Sequence, residues 1–126
     1  MPLKVTYDEN IDCLVIKATD SIKYDDLLSL RELILNNPKF RRDINQLFDC
    51  TEGKLYLTTE EVERIAYHFS HVADQLGLNR KLALAVSSDL DYGIMRQYEV
   101  FFYSGPSVSV CAYKSLSDAR DWLKKE

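Results

Sequence analysis

The sequence predicts an α/β fold, with a five-stranded, mixed and mostly parallel sheet flanked by about four helices. Short apolar runs alternate with longer amphipathic patterns, and their order reads ββαβαβαβα. This alternation favours right-handed crossovers between parallel strands. The 126 residues are 46% hydrophobic and 29% charged, with no linker, repeat or low-complexity segment between the elements. We therefore expect residues 1–126 to form a single domain that buries its own core.

The predicted strands are short apolar runs bounded by turn residues. Asp8, Glu9 and Asn10 separate the first two runs, so these two strands are expected to form a hairpin. The five predicted strands are Val5–Tyr7, Cys13–Lys17, Asn45–Cys50, Leu82–Ser87 and Val108–Tyr113.

The predicted helices follow from apolar residues that recur every three or four positions. The strongest pattern, from Thr58 to Leu76, starts with a T-x-x-E capping box at Thr58 and Glu61 and stops at Gly77. The first helix ends before Pro38, because the residue preceding a proline avoids the α region. The other predicted helices are Tyr24–Asn36, Asp89–Tyr103 closed by Gly105 and Pro106, and a final helix capped by Ser115.

Composition argues against several classes of partner. The net charge of −4 and the scattered basic residues disfavour nucleic-acid binding, which needs clustered Lys and Arg. No apolar run has the roughly 18 residues of a membrane span, and the start MPLKVTYDEN lacks the apolar core of a signal peptide. Three unpaired-looking cysteines, Cys13, Cys50 and Cys111, indicate buried thiols in a cytoplasmic protein. We expect no metal and no cofactor.

The segment from Lys81 to Tyr103 is the first candidate site. Its strand ends at Ser87 and Ser88, where a helix begins, and ligands of α/β proteins often bind at such a helix N-terminus. Ser88 either caps the helix, in S-x-x-D spacing with Asp91, or contacts a small polar group. Gly93 inside this helix suggests close packing or the close approach of another group. The expected core residues of the helix are Leu90, Ile94, Phe101 and Tyr98.

Tyr92, Arg96 and Glu99 share one face of the same predicted helix. Arg96 either forms an ion pair with Glu99 or reaches into the crevice, where it would meet a carboxylate or phosphate. Leu55, Tyr56 and Leu57 precede the strongest helix, in a connection that either folds back on the core or forms an apolar lid or a partner-binding surface beside the crevice.

No arrangement of residues indicates an enzyme. The only histidines, His68 and His71, lie in the middle of a predicted helix, where we expect them to be solvated. Both are therefore misplaced for a Ser–His–Asp or Cys–His site. The four glycines are isolated, which excludes a glycine-rich phosphate loop. We expect a protein without catalytic activity.

The order of elements and several local motifs resemble the SpoIIAA-like family of the STAS/CRAL-TRIO superfamily. The most specific motif is the D-x-x-x-G-x-x-R-x-x-E run from Asp89 to Glu99. Further support comes from the opening hairpin, Tyr24 to Leu27, Pro38 to Phe40, Asp49, and a closing helix with Ala119 and Trp122. The resemblance implies a non-enzymatic domain. Some members are switch proteins that are phosphorylated after the third strand and dock on a kinase or sigma-factor regulator, whereas others hold lipids or apolar ligands.

Two functions follow from the residues together with this resemblance. The first is a cytoplasmic binding module for a small apolar or lipid-like ligand in the crevice at the strand C-terminal ends. Its candidate ligand-binding residues are Tyr56, Ser88, Tyr92 and Arg96. The alternative is a protein-interaction module of the anti-sigma-factor-antagonist type, with Thr51 or Thr58 as the regulatory phosphosite. Eight tyrosines also leave a homodimer open.

Overall fold

The computed structural model describes residues 2–102 and 108–125 and confirms the predicted fold class. One sheet carries its strands in chain order, with β1 antiparallel to β2 and all other pairs parallel. Tyr103, Gly105 and Pro106, which the sequence places at the end of the third helix, lie outside the described residues. The elements are β1 Leu3–Asp8, β2 Cys13–Lys23, α1 Tyr24–Leu28, α2 Leu30–Leu35, β3 Asn45–Tyr56, α3 Thr59–Leu76, β4 Arg80–Val86, α4 Asp89–Phe101, β5 Val108–Tyr113 and α5 Leu116–Lys124.

The two faces of the sheet have different coverings. Because side chains alternate along a strand, every second residue points to the same face. The four-helix face packs against α1 to α4 through a large apolar core that includes Ile16, Phe48 and Leu84. The α5 face has a smaller core, in which Leu47 and Ala83 pack against Ala119 and Leu123 of α5. The four-helix face therefore holds most of the buried apolar surface.

The predicted loop after the third strand is instead a continuation of that strand. β3 runs to Tyr56 because β2 also continues, to Lys23, and pairs with it from Thr19 opposite Glu52 onward. The register shifts between Lys17 and Thr19, which indicates a bulge. Gly53 is required there, since a Cβ would lie 2.8 Å from the Ala18 carbonyl oxygen. The prediction of a loop between Cys50 and Leu57 is therefore wrong, because residues up to Tyr56 belong to β3.

The first predicted helix is divided into α1 and α2 at Ser29. The Ser29 hydroxyl donates to the Asp26 carbonyl at 2.6 Å, a local hydrogen bond that competes with the regular helical ladder. In α3 the predicted capping box is present: Glu61 N–H donates to Thr58 Oγ1 at 3.2 Å, and Thr58 N–H donates to Glu61 Oε1 at 2.9 Å. Gly77 ends this helix with φ of 120°, in the region that favours glycine.

The buried face of α4 matches the prediction at Tyr98, Ile94 and Phe101 but not at Leu90. Asp91, Met95 and Tyr98 point into the protein, whereas Leu90 is 66% exposed. The Asp91 carboxylate turns inward toward the Leu55 backbone N–H, which leaves the preceding residue facing outward. Gly93 has no atom within 4 Å of a would-be Cβ, so the expected close packing there is also wrong.

Candidate functional site

An apolar cavity of about 60 Å³ lies between the four-helix face of the sheet and the helices above it. Engineered cavities of about 150 Å³ hold benzene, so this space accommodates only a few carbon atoms as it stands. Its floor is formed by Ile16, Gln46, Phe48, Leu82 and Leu84. Its roof is formed by Leu27, Leu30, Ile34, Leu57, Val62, Ile65, Phe69, Met95 and Tyr98.

Gln46 is the one residue with a polar amide in this lining. It lies opposite Leu82 of β4, and its side chain is on the four-helix face. The residue is 3% exposed, and its Nε2 has no hydrogen-bond partner among the described residues. A buried donor without a partner costs about 1–3 kcal/mol, so an acceptor in the cavity would remove a cost that the protein now carries.

Arg80 is a second residue with a buried donor that lacks a described partner; it is not itself in the lining but lies two residues before the lining residue Leu82 on β4. It is 4% exposed; its Nε donates to the Gly77 carbonyl at 2.9 Å, and its Nη1 lacks a partner in the described part of the chain. Burial lowers the pKa of Arg80, and the nearby Tyr98 and Asp43 oppose that decrease. Burial raises the pKa of Tyr98, while the nearby Arg80 charge opposes that rise.

The predicted ligand-binding residues at α4 form contacts within the helix or pack against the core. Ser88 is the N-cap and accepts a hydrogen bond from Asp91 N–H at 3.1 Å. Arg96 pairs with Glu99 at 3.3 Å, and Tyr92 is half-buried against the core. The run from Asp89 to Glu99 links α4 to β5, since Glu99 Oε1 accepts from Ala112 N–H at 2.5 Å. Asp89 also pairs at 3.0 Å with Lys114, the residue that follows β5.

Tyr56, the fourth predicted ligand-binding residue, is 52% exposed at the end of β3. The Lys54 ammonium lies 5.8 Å from the centre of its ring. The lining of the cavity includes none of the four predicted residues, although it includes Leu57 of the predicted lid. A ligand-binding role for Tyr56, Ser88, Tyr92 and Arg96 therefore stays a prediction, and it would require a second site outside the cavity.

Asp91 is a buried acid that the sequence identified only as a capping residue. It is 1% exposed, its Oδ2 accepts a 3.4 Å hydrogen bond from Leu55 N–H, and its Oδ1 has no partner among the described residues. Burial raises the pKa of this carboxyl group. The S-x-x-D spacing with Ser88 gave no sign of this, because only the serine side chain takes part in the cap.

The hydroxyl groups of both predicted phosphosites already form hydrogen bonds within the protein. The Thr51 hydroxyl donates to Asp49 Oδ1 at 2.6 Å, and Thr58 forms the capping box of α3. Thr51 lies within β3 and is half-buried, next to the ion pair of Lys17 with Glu52. Its phosphorylation would add negative charge beside two acids and disfavour this local arrangement.

The α5 face carries an open polar groove between the hairpin and α5. Its main charge pair joins Asp8 to Arg120 at 2.7 Å, and Asp49 accepts from Thr51. The Arg120 hydrogen bond is the main cause of a lowered pKa of Asp8. The groove is lined by Thr6, Tyr7, Asp8, Glu9, Asn10, Val15, Lys17, Leu47, Asp49, Leu116 and Arg120.

The histidines and cysteines form no cluster for metal binding in the described part of the chain. His71 is exposed, as expected, but His68 is half-buried with an Nε2 shielded from solvent, so full solvation was wrong for that residue. Cys13 and Cys50 are buried free thiols, and burial raises the pKa of each to about 12. Cys111 is a half-buried free thiol.

The comparisons with known proteins bear on the fold. No protein-family model and no curated protein matches this chain. It is similar to the crystal structure of an uncharacterised protein from the DUF3478 family with a SpoIIAA-like fold, from Shewanella loihica PV-4. The two share 17% identity with a TM-score of 0.57, over 96% of this chain and 91% of the other. The chain therefore has the SpoIIAA-like fold that the resemblance implied. Among the described residues, no helix is both long and apolar enough to cross a membrane.

Proposed function

We propose that this protein is a non-enzymatic, cytoplasmic binding module that holds a small apolar or lipid-like molecule in the cavity on the four-helix face. The observation that carries the proposal is the apolar cavity of about 60 Å³ with the unpartnered amide nitrogen of Gln46 on its floor. Ligand sites are typically apolar hollows in which a few polar groups fix the orientation of the ligand. This site lies beneath α3 and α4 rather than at the strand C-terminal ends.

The size of the cavity limits the part of the ligand that it encloses. Pockets for drug-sized molecules have volumes of roughly 300–1,000 Å³, so a whole lipid does not fit without movement of the helices. Leu57, in the connection between β3 and α3, is the lining residue that lies outside a helix or strand. Connections are more mobile than the elements that they join, and we therefore place the entrance at Leu57.

Native mass spectrometry followed by denaturing mass measurement on the same sample tests the proposal. We expect extra mass in the native spectrum that is lost on denaturation. The variant Val62→Phe places a larger side chain in the cavity and should reduce this retained mass. Val72→Phe makes the same change on α3 at a half-buried position outside the lining and serves as the matched control. Retention that is equal in both variants, or no adduct in any sample, contradicts the proposal.

The second candidate is a protein-interaction module, which is favoured by exposed apolar side chains near the α4 N-terminus. Tyr56 and Leu90 are 52% and 66% exposed, and each lies next to one partner of the Leu55–Asp91 hydrogen bond. Exposed apolar side chains that lie together often mark binding surfaces. A partner that is lost with Thr51→Glu and kept with Thr51→Ala in pull-down experiments would support regulation at Thr51. A partner kept with both variants contradicts it.

A further inference from the structure

We infer that the ligand of the cavity carries a carboxylate, which Gln46 and Arg80 hold where β3 and β4 begin. The inference rests on the proposed function and specifies the chemistry of the ligand. It starts from the four buried side-chain atoms without a hydrogen-bond partner in the described part of the chain, of which these two residues provide two donors. Native proteins leave few such atoms, so two at one place require an explanation.

The two donors project from neighbouring strands on the same face of the sheet. Gln46 lies opposite Leu82, and Arg80 precedes Leu82 by two residues on β4, so all three side chains share the four-helix face. The starts of the strands are fixed side by side, since Lys81 N–H donates to Asn45 Oδ1 at 2.8 Å. Strand geometry places the Cα atoms of Gln46 and Arg80 about 8 Å apart, a distance that two long side chains bridge readily.

The charge of Arg80 favours an anion over a neutral acceptor. A buried charge is normally paired. Arg80 forms no direct ion pair among the described residues, although the Asp43 charge nearby favours its protonated form, and one of its donors is bound by the Gly77 carbonyl. Tyr98 lines the cavity and lies close enough to respond to this charge. A carboxylate has two acceptor oxygens, one for Gln46 Nε2 and one for Arg80 Nη1, and it neutralises the guanidinium.

The apolar walls define the rest of the ligand. Apart from the Gln46 amide and the Tyr98 phenol, the lining side chains are purely hydrocarbon or thioether, so the remainder of the ligand must be hydrocarbon. A space of about 60 Å³ accepts a short aliphatic chain. The ligand class is therefore a short-chain carboxylic acid, or the carboxyl end of a longer acyl chain whose remainder extends past Leu57.

Binding of butanoate and 1-butanol to the whole protein, followed by the backbone amide signals of the residues that line the cavity in ¹H–¹⁵N NMR, tests the inference. We expect butanoate to bind at least about tenfold more tightly, since hydrogen bonds to charged groups contribute about 1.5–3 kcal/mol. This preference should fall in Gln46→Leu and in Arg80→Lys, which keeps the charge but loses the planar fork. Arg120→Lys makes the same change on the α5 face and should leave the preference unaltered.

The outcomes separate this inference from the proposed function. Equal affinities for butanoate and 1-butanol would overturn the carboxylate but leave apolar binding in place. Binding of neither compound would overturn both proposals. A preference for butanoate that survives Gln46→Leu and Arg80→Lys, or that disappears in Arg120→Lys, would place the carboxylate elsewhere and overturn the assignment.

Discussion

The polar side chains on the two faces of the sheet differ in whether they have hydrogen-bond or ion-pair partners. On the α5 face, Asp8 pairs with Arg120, Lys17 with Glu52, and Asp49 with Thr51. On the four-helix face, Gln46 keeps a buried donor without a described partner in the lining of an apolar cavity, and Arg80 keeps another on β4, two residues before the lining residue Leu82. Because unpartnered buried donors lower stability, the four-helix face carries a cost that the α5 face avoids. Such a cost is expected where a ligand completes the structure, and this difference locates the candidate site.

The largest expected effect comes from leucine truncation on each face. Leu84→Ala and Leu47→Ala should each lower the free energy of unfolding by about 3 kcal/mol, because both side chains are buried. The Leu84→Ala void adds to the existing cavity of about 60 Å³, whereas the Leu47→Ala void stands alone. Benzene should therefore stabilise Leu84→Ala in urea unfolding and leave Leu47→Ala unchanged. Equal stabilisation of both variants would erase the difference between the faces.

The next effect compares removal of an unpartnered donor with removal of a paired one. Gln46→Leu should raise the free energy of unfolding by about 1 kcal/mol, since it replaces a buried, unpartnered amide by an apolar group of similar size. Arg120→Met should lower it by up to about 1 kcal/mol, because Asp8 loses its partner. Thermal unfolding of ligand-free samples measures both changes. Destabilisation by Gln46→Leu would mean that the amide is satisfied.

Two acids should give opposite dependences of stability on pH. Burial raises the pKa of Asp91 in the folded state above its ordinary 3.8, so ionisation disfavours folding and Asp91→Asn should stabilise at pH 7. The Arg120 hydrogen bond lowers the pKa of Asp8 below 3.8, so its contribution is present at neutral pH and lost as the pH falls through that lower pKa. Asp8→Asn should therefore destabilise at pH 7. Chemical unfolding measures both changes in stability, and each should become smaller toward pH 2. A change of the same sign in Asp91→Asn and Asp8→Asn at pH 7 would contradict the opposite effects expected for the two acids.

The smallest expected effect is that of Arg96→Ala. This side chain is largely exposed and pairs with Glu99 on the surface of α4, so stability should change by less than about 0.5 kcal/mol. Retention of a bound molecule in native mass spectrometry should be unchanged. Loss of that molecule from Arg96→Ala, with the fold intact by circular dichroism, would move the site to the strand C-terminal ends.

The fold could be predicted from the sequence because apolar periodicity marks each element directly. The extension of β2 and β3 could not, since polar residues such as Asp20 and Glu52 interrupt the alternation and only their mutual pairing makes them strands. Gln46 inside an apolar run was a usable signal for a buried polar site. The cavity had no sequence signal, because a void depends on how side chains from several elements fit together.

The most direct test of the binding cavity is methyl ¹H–¹³C NMR of the ligand-free protein under xenon, which enters dry apolar cavities. We predict shifts confined to the methyl groups that line the cavity, such as those of Ile16, Leu84 and Met95, with none at Leu47 beneath α5. Shifts centred on Leu47 and Leu123, or no shifts at all, would contradict the claim that the four-helix face holds an accessible binding cavity.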